Sequence, residues 1–509
     1  MPNRRDLLKL LPATLALPAL SRPALAQPGT DRLRAIMREA VPNIEPYSNS
    51  QRSGLVVAHH VWDTLIHRDP VSFEHQPLLA TEWKWVDDVT LELKLRRGVT
   101  FHNGDAFTAD DVIFTINTVT APDARVAVPG NVSWMKGAEK IDDFTVRILT
   151  KNPFPAALDY LALTVPMLPK AYRERVGADG YARAPIGCGP YKVTRLEPGA
   201  LVEMERHEGY YAGSPKGKPQ IRRLSLRFVP DSATEMTELL SGQADWIWKV
   251  GIDQIPNLAR MPMLKTLSSA TMRINYLSID AAGRSGAENP LTKQPVRQAI
   301  FHAIDRQTMA KQMAGADSIV PPAPCYPAQF GCDADAAVKY DYDPAKARAL
   351  LAEAGFANGF DIEMVAYLEP NIGAALQAYL GAVGIRARIS QLQVAAAIQR
   401  AWRGEAPLYL GSWGSYSIGD VSAILPVMFG GGNDDYARDA ELAKLIREGG
   451  LTQDAAARKA AYSAAIRRAT EQAYWLPLHN QVVNYAFSKQ LDFTAHPDEL
   501  PRFYMARWA

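Results

Sequence analysis

Residues 77–117 read PLLATEWKWVDDVTLELKLRRGVTFHNGDAFTADDVIFTIN. Trp83 to Val86, and then Thr90, Leu91, Leu93 and Leu95, alternate by side, as two half-buried antiparallel strands would. Asp87-Asp88 supplies the turn between them, and Arg96-Arg97-Gly98 ends the second strand. A polar turn follows around His102-Asn103-Gly104-Asp105. Thr108 then caps a helix, with Asp111 placed to return the bond as in a capping box. Val112, Ile113, Phe114 and Ile116 give that helix its apolar face. Strand, turn, strand, turn and helix in 41 residues predict an α/β unit.

Outward from this stretch the chain alternates strand and helix patterns. Arg34 to Leu65 predicts an opening strand, a loop at residues 42–53 and an amphipathic helix around Leu55 to Leu65. Ile141 to Ile148 is a turn and an alternating strand. Strands return at Tyr191–Thr194, Val202–Glu205 and Ile221–Phe228, and Ser232 to Leu240 is a helix. Arg273 to Ile279 is extended. Asp343 caps and Pro344 opens a helix that stops at Gly355. A strand from Phe360, a helix from Ile372 and a strand from Ile385 then predict a parallel or mixed sheet. Asp454 to Ala473 is a long helix rich in Ala and Arg.

The opening stretch resembles the signature region of the family 5 extracellular solute-binding proteins, the peptide- and nickel-type binding proteins that serve ABC transporters. The resemblance rests on Leu79-Ala80, Trp83, Gly98-Val99, Phe101 to Asp105 and Phe107 to Val112, and it continues in order along the chain. Trp62-Asp63-Thr64-Leu65, Ile186-Gly187-Cys188-Gly189-Pro190-Tyr191 (Cys188 for the usual Thr) and Gly209-Tyr210-Tyr211 are similar to family turns. So are Val296 to Ile300 with Ala303 to Arg306, Asp343 to Phe360, and Trp475 to His479. The resemblance implies a two-lobed periplasmic-binding-protein-like α/β fold of type II, in the large form with an extra subdomain in lobe one. Lobe one would comprise residues 27–65, the subdomain 66–185, and residues 186–272 and 478–509; lobe two would be 273–477. It further implies a solute captured between the lobes by hinge closure and delivered to an ABC permease, with the protein a monomer.

Composition bounds the alternatives. At 509 residues the chain exceeds one core. A net charge of +2, with no basic run interleaved with aromatics, gives no footprint for nucleic acid. There is no stretch of 18 apolar residues, so no membrane span is expected. Residues 1–26 read as an export signal. Asn3-Arg4-Arg5-Asp6-Leu7-Leu8-Lys9 resembles a twin-arginine motif, and Ala24-Leu25-Ala26 fits a cut after Ala26. A periplasmic location follows. In that oxidising setting Cys325 and Cys332 are expected to form a disulfide, with Cys188 left as a buried filler. No His-Glu-x-x-His, Cys-x-x-Cys or Gly-x-Ser-x-Gly motif occurs, so no enzyme, metal or cofactor is expected. Asp305 is read as a helix cap and Arg297 as a member of an ion pair between lobes.

The cleft is expected around Ser412 to Asp420. In peptide-binding members a Trp is followed three residues on by an Asp that pairs with the ligand's α-ammonium. Here Trp413 is kept, but Tyr416 stands at the third position and the nearest acid is Asp420. A buried ammonium needs a carboxylate partner. Either Asp420 supplies it, or Asp420 caps the turn at Val421 and the ligand lacks a free amine. Trp413, Ser415, Tyr416, Ser417 and Asp420, with Tyr47 and Ser48 from the first loop, are therefore the candidate ligand contacts. A di- or oligopeptide is the first expectation. An opine, a glutathione-like compound, a sugar or a nickel chelate is the alternative.

Overall fold

The computed structural model describes residues 31–509 other than Ala287, so the export signal expected over residues 1–26 lies outside the described residues. The organising stretch forms strands Ala80–Asp87 and Thr90–Leu95, paired antiparallel through the Asp87 turn. The helix Ala109–Thr120 carries the full reciprocal box: the Thr108 side chain accepts a main-chain bond and Asp111 accepts from the Thr108 amide. Val112 and Ile116 are buried, while Ile113 and Phe114 are only half-buried. Two further strands, Met135–Asp142 and Thr145–Thr150, complete a four-stranded sheet.

The main sheet has ten strands and joins both lobes. Five lie on the first-lobe side: Tyr191–Glu197, Leu201–Arg206, Arg223–Phe228, Arg32–Met37 and Trp246–Trp248. Three lie at the other end: Leu408–Trp413, Phe360–Ala366 and Ile385–Gln391. Between them run two long antiparallel strands, Leu264–Ile279 and Trp475–Ser488. Their register shifts between Ala270 and Ile274 and again between Asn275 and Tyr276, where the sheet passes from one lobe to the other. Bulges here bend and twist the pair, so the crossing is also the natural hinge. The far end is mixed, since Phe360–Ala366 pairs parallel with both neighbours while Leu408–Trp413 meets the crossing strand antiparallel.

Several local expectations acquire a geometry. Asp305 and Asp343 each accept a main-chain amide at the start of their helices, and Asp454, read as a helix residue, does the same from the position before Ala455. Cys325 and Cys332 are bonded, and Cys188 is fully buried. The first helix spans Arg52–Val61, ending earlier than the sequence pattern implies, because the turn Gly187–Pro190 docks on its last residue. The Gly189 amide donates to Val61 O at 2.9 Å, and a Cβ on Gly189 would stand 2.6 Å from the Val61 carbonyl carbon. Among the described residues Arg297 has no ion-pair partner, so the expected ion pair is not formed there. Its buried guanidinium donates instead to the carbonyls of Leu291, Thr292 and Gln472, tying two helix ends together.

The adjacent pair His59-His60 is structural. His60 bridges Val56 O and the Phe503 amide, and burial pushes its pKa down to about 3. Beside it lies a buried polar knot. Asp63 Oδ2 accepts from the Tyr210 and Tyr211 hydroxyls at 2.9 and 2.6 Å, and Lys216 Nζ stands 2.7 Å from Oδ1. Lys216 also donates to His59 O. Both charges are all but inaccessible to water, so removing one strands the other. Lys216→Met should lower stability by about 3–5 kcal/mol. Adding Asp63→Asn to that variant should recover part of the loss, as read in a denaturant double-mutant cycle.

Candidate functional site

Both lobes contribute to a cavity of about 720 Å³. The first lobe supplies Glu39, which follows the opening strand, the loop through Pro46 and Asn49 to Arg52, and the segment carrying Val128 and Asn131. The crossing strand supplies Arg273, and the far side supplies Trp413 to Tyr416. Trp413 donates its indole N–H to Ala423 O at 2.9 Å, so its ring, not its donor, is offered to a ligand. Tyr416 meets that ring edge-on at 5.3 Å and is 40% exposed, the most open of the candidate aromatics.

The charges in this cavity are mostly committed to one another. Arg52 and Arg273 both pair with Glu499, at 3.2 and 3.3 Å. Burial alone would raise the pKa of Glu499, but Arg273 and then Arg52 outweigh it and hold it down. Glu39, the acid among the lining residues, accepts from Lys249 and from the amide and hydroxyl of Ser53. It thus neutralises a helix N-terminus as well as a lysine. Burial opposes its charge, but Lys249 and Ser53 together keep its pKa below the usual value. Two guanidinium groups against one carboxylate leave a cationic surplus between the lobes.

The loop from Gly414 onward has an unusual backbone. Ser415, Tyr416 and Ser417 have φ of 51°, 48° and 64°, three successive non-glycine residues in the left-handed region. Each costs of order 1–3 kcal/mol and persists only where the surroundings enforce it. They do so here. Arg68, 2% exposed at its side chain, donates to Ser417 O at 2.5 Å. Ser417 Oγ accepts from Arg52 at 2.6 Å and donates to Asp498 O at 2.6 Å. Arg68 and Arg502 flank the buried Asp498 carboxylate at 3.2 and 2.6 Å. Gly414 lets Arg273 pass beneath the loop, since a Cβ there would stand 2.9 Å from its guanidinium.

The expected contacts divide accordingly. Trp413, Ser415 and Tyr416 line the cavity together. Ser417 is 1% exposed and fastens the loop to the first lobe. Tyr47 is buried with its hydroxyl on Pro166 O, and Ser48 is exposed and bonded to Glu45; their neighbours Pro46 and Asn49 line the cavity instead. Asp420 does not serve as an anchor. It is 2% exposed, accepts from Arg458 at 2.7 Å and caps the turn Val421–Ala423 through the Ser422 amide. Its place is therefore the capping one, and it does not line the cavity. The sequence reading missed Arg52, Arg273 and Glu39. One signal was legible: Arg273 is a lone charge in the otherwise uncharged extended run Met272 to Ile279.

The family model of the bacterial extracellular solute-binding proteins, family 5 (middle region), matches residues 74–436. The glutathione-binding protein GsiB of Salmonella choleraesuis is 27% identical over 485 residues, which cover 89% of this chain and 90% of that one. A dipeptide-binding protein from Pseudoalteromonas sp. SM9913, solved with Met-Leu, superposes with a TM-score of 0.77 at 23% identity, covering 94% and 100% of the two chains. The binding protein AgaA of A. tumefaciens R10, solved with agropinic acid, gives 0.75 at 23%, covering 94% and 99%.

The cluster that holds the loop predicts an acid dependence. Burial alone would raise the Asp498 pKa, but Arg502 and then Arg68 reverse this and hold it well below the carboxylate range. A depressed folded pKa stabilises above the unfolded value and is lost as pH falls below it. Asp498→Asn, which leaves two buried guanidinium groups with too little counter-charge, should cost about 3–5 kcal/mol at pH 7. The gap from the parent should shrink as pH is lowered from about 5 to 2, measured by denaturant unfolding at each pH.

Proposed function

The chain belongs to family 5 of the bacterial extracellular solute-binding proteins, and on that premise we propose that it is the capture subunit of an ABC importer for a small carboxylate-bearing solute. The observation that carries the ligand class is the pair Arg52 and Arg273 sharing the single carboxylate of Glu499 in the interlobe cavity. A ligand carboxylate completes this charge set, with the planar forks of arginine suited to hold it. Nothing equivalent awaits an ammonium, because Glu39 is paired with Lys249 and Asp420 with Arg458. GsiB is named for glutathione, and the two solved neighbours hold a dipeptide and an opine-type acid; all three ligands carry carboxylates.

The solute of this chain is a short peptide or peptide-like acid that does not need a free amine, with glutathione-like compounds and opines in the same class. Neutral sugars are disfavoured by the same charges. Contacts to both faces stabilise the closed form, which docks on a permease this chain does not contain. The protein works as a monomer in the periplasm, exported through the twin-arginine signal and cut after Ala26. It turns over no substrate.

A thermal-shift and calorimetric panel on the chain from Gln27 tests this reading. Di- and tripeptides, N-acetylated peptides, glutathione and opines should include binders, stabilising by about 2.7 kcal/mol at a hundredfold excess over Kd. N-acetylation should be tolerated, and C-terminal amidation should abolish binding. Arg273→Met should weaken the same ligand by about thirtyfold or more, with Arg273→Lys intermediate. Stabilisation by sugars alone, or by amidated peptides as well as free acids, would refute the carboxylate reading.

A further inference from the structure

A second cavity, of about 450 Å³, also lies between the lobes. It is the neighbour of the first: the short turn Pro129–Asn131 stands between them, with Gly130 lining one and Asn131 the other. One wall is aromatic. Trp134 stacks on Phe154 at 4.8 Å and 17°, and Tyr160 packs against both. The opposite wall comes from the second lobe, through Pro426 and the helix Ala440–Leu451. Closure therefore forms this chamber as it forms the first.

Its chemistry is distinctive. Lys151 and Arg447 are its charged lining residues, and among the described residues no acid lines it. The Trp134 indole N–H is already spent on Asn131 O, so the ring offers an apolar surface. Tyr160 is 8% exposed, yet among the described residues nothing hydrogen-bonds to its hydroxyl, although its main-chain groups are both used. Tyr47, Tyr181, Tyr191 and Tyr436, buried alike, each give theirs to a main-chain carbonyl, while the hydroxyl of Tyr462, like that of Tyr160, has no partner among the described residues; of these two, Tyr160 lines the chamber. An unused hydroxyl beside a stacked aromatic wall suits a ring that carries or adjoins a polar atom.

We propose that this chamber is a second subsite, which takes an aromatic side chain or acyl ring at the far end of a ligand whose carboxylate sits at Arg273. The inference rests on the carboxylate reading and extends it. The imported solute is then an elongated acid, anchored by charge in one chamber and selected by its ring in the other. A cationic far end is rejected by Lys151 and Arg447.

Calorimetry with three probes tests it: N-acetyl-Phe-Ala-Ala, N-acetyl-Ala-Ala-Ala and N-acetylphenylalanine amide. The Phe peptide should bind the parent at least about tenfold more tightly than the Ala peptide, in line with burial of a phenyl ring. Trp134→Ala should reduce that preference below about threefold while leaving the Ala peptide unaffected. Gly450→Phe, which fills the chamber from the second lobe, should do the same. A Cβ at Gly450 meets nothing nearer than the Tyr462 hydroxyl at 3.8 Å, so this variant tests the chamber without disturbing the aromatic wall. Equal binding of the two peptides overturns the subsite and leaves the carboxylate reading standing. If neither peptide binds but the amide does, in a Trp134-dependent way, the chamber stands and the carboxylate reading falls. Absence of ring-dependent binding by all three probes overturns the subsite.

Discussion

The buried carboxylate of Asp498 governs how the two lobes meet. It is held by Arg68 and Arg502, and Arg68 in turn grips the carbonyl of Ser417 on the far lobe's loop. A charge buried this fully survives only when paired and hydrogen-bonded on every side. The cluster therefore works as an all-or-nothing clasp. Ile418, next along the loop, is fully buried within the apolar cluster of the first lobe, and Gly419 closes so tightly on Asp159 that a Cβ would stand 2.8 Å from its carboxylate. Apolar burial and ionic contacts thus act on the same few residues. The left-handed run Ser415–Ser417 is the consequence. The loop must present Tyr416 to the cavity while its next residue is bonded to three groups of the other lobe, and a right-handed path does not meet both demands.

This clasp couples the ligand site to lobe closure. Arg52 touches both, bonding Ser417 with one nitrogen and Glu499 with the other, while Arg273 reaches Glu499 from the crossing strand. A carboxylate that draws Arg52 or Arg273 toward the cavity redistributes charge around Glu499 and hence at the loop. The hinge is placed to respond, because its register shifts fall just before and after Ile274 and Arg273 lies inside the first of them. Ligand contact, loop conformation and interlobe angle are linked through a handful of side chains, so binding energy need not travel far to shift the closed population.

Much of the fold was legible because its signals are local. The strand pair and capped helix of residues 77–117, the aspartate caps at 305 and 343, and the glycine turn at 187–189 each depend on neighbours in sequence. The site was less legible because its partners are remote. Asp420 could not be assigned from its own surroundings: its partner Arg458 lies on a helix 38 residues later, and only the fold brings them together. Arg297 looked like half of an ion pair, yet the orphan carbonyls at two helix ends claimed it. Tyr47 sat in the right loop, but the periodicity of a loop does not say which residue turns inward. Arg52 was hidden for a related reason, since a cleft arginine and a surface arginine at a helix start have the same local sequence signature.

Tyr416, at the position where resemblance to the peptide-binding members leads one to expect an acid, gains its meaning from these remote pairings. Had Asp420 been free, the substitution would have moved the amine anchor four residues along the loop and left the ligand class unchanged. With Asp420 neutralised by Arg458 and Glu39 by Lys249, the loss of an acid at position 416 is not compensated elsewhere in the cavity. The net field between the lobes then becomes cationic. On the carboxylate reading that field favours a solute acid, and an acyl-blocked nitrogen avoids the cost of several kcal/mol that an ammonium buried without a partner would incur. The same logic extends to the neighbouring chamber, whose charged lining is cationic too. On the proposed reading, a molecule that fills both chambers carries its negative charge at one end and needs no positive charge at the other, because the fold has already paired the carboxylates of Asp420 and Glu39.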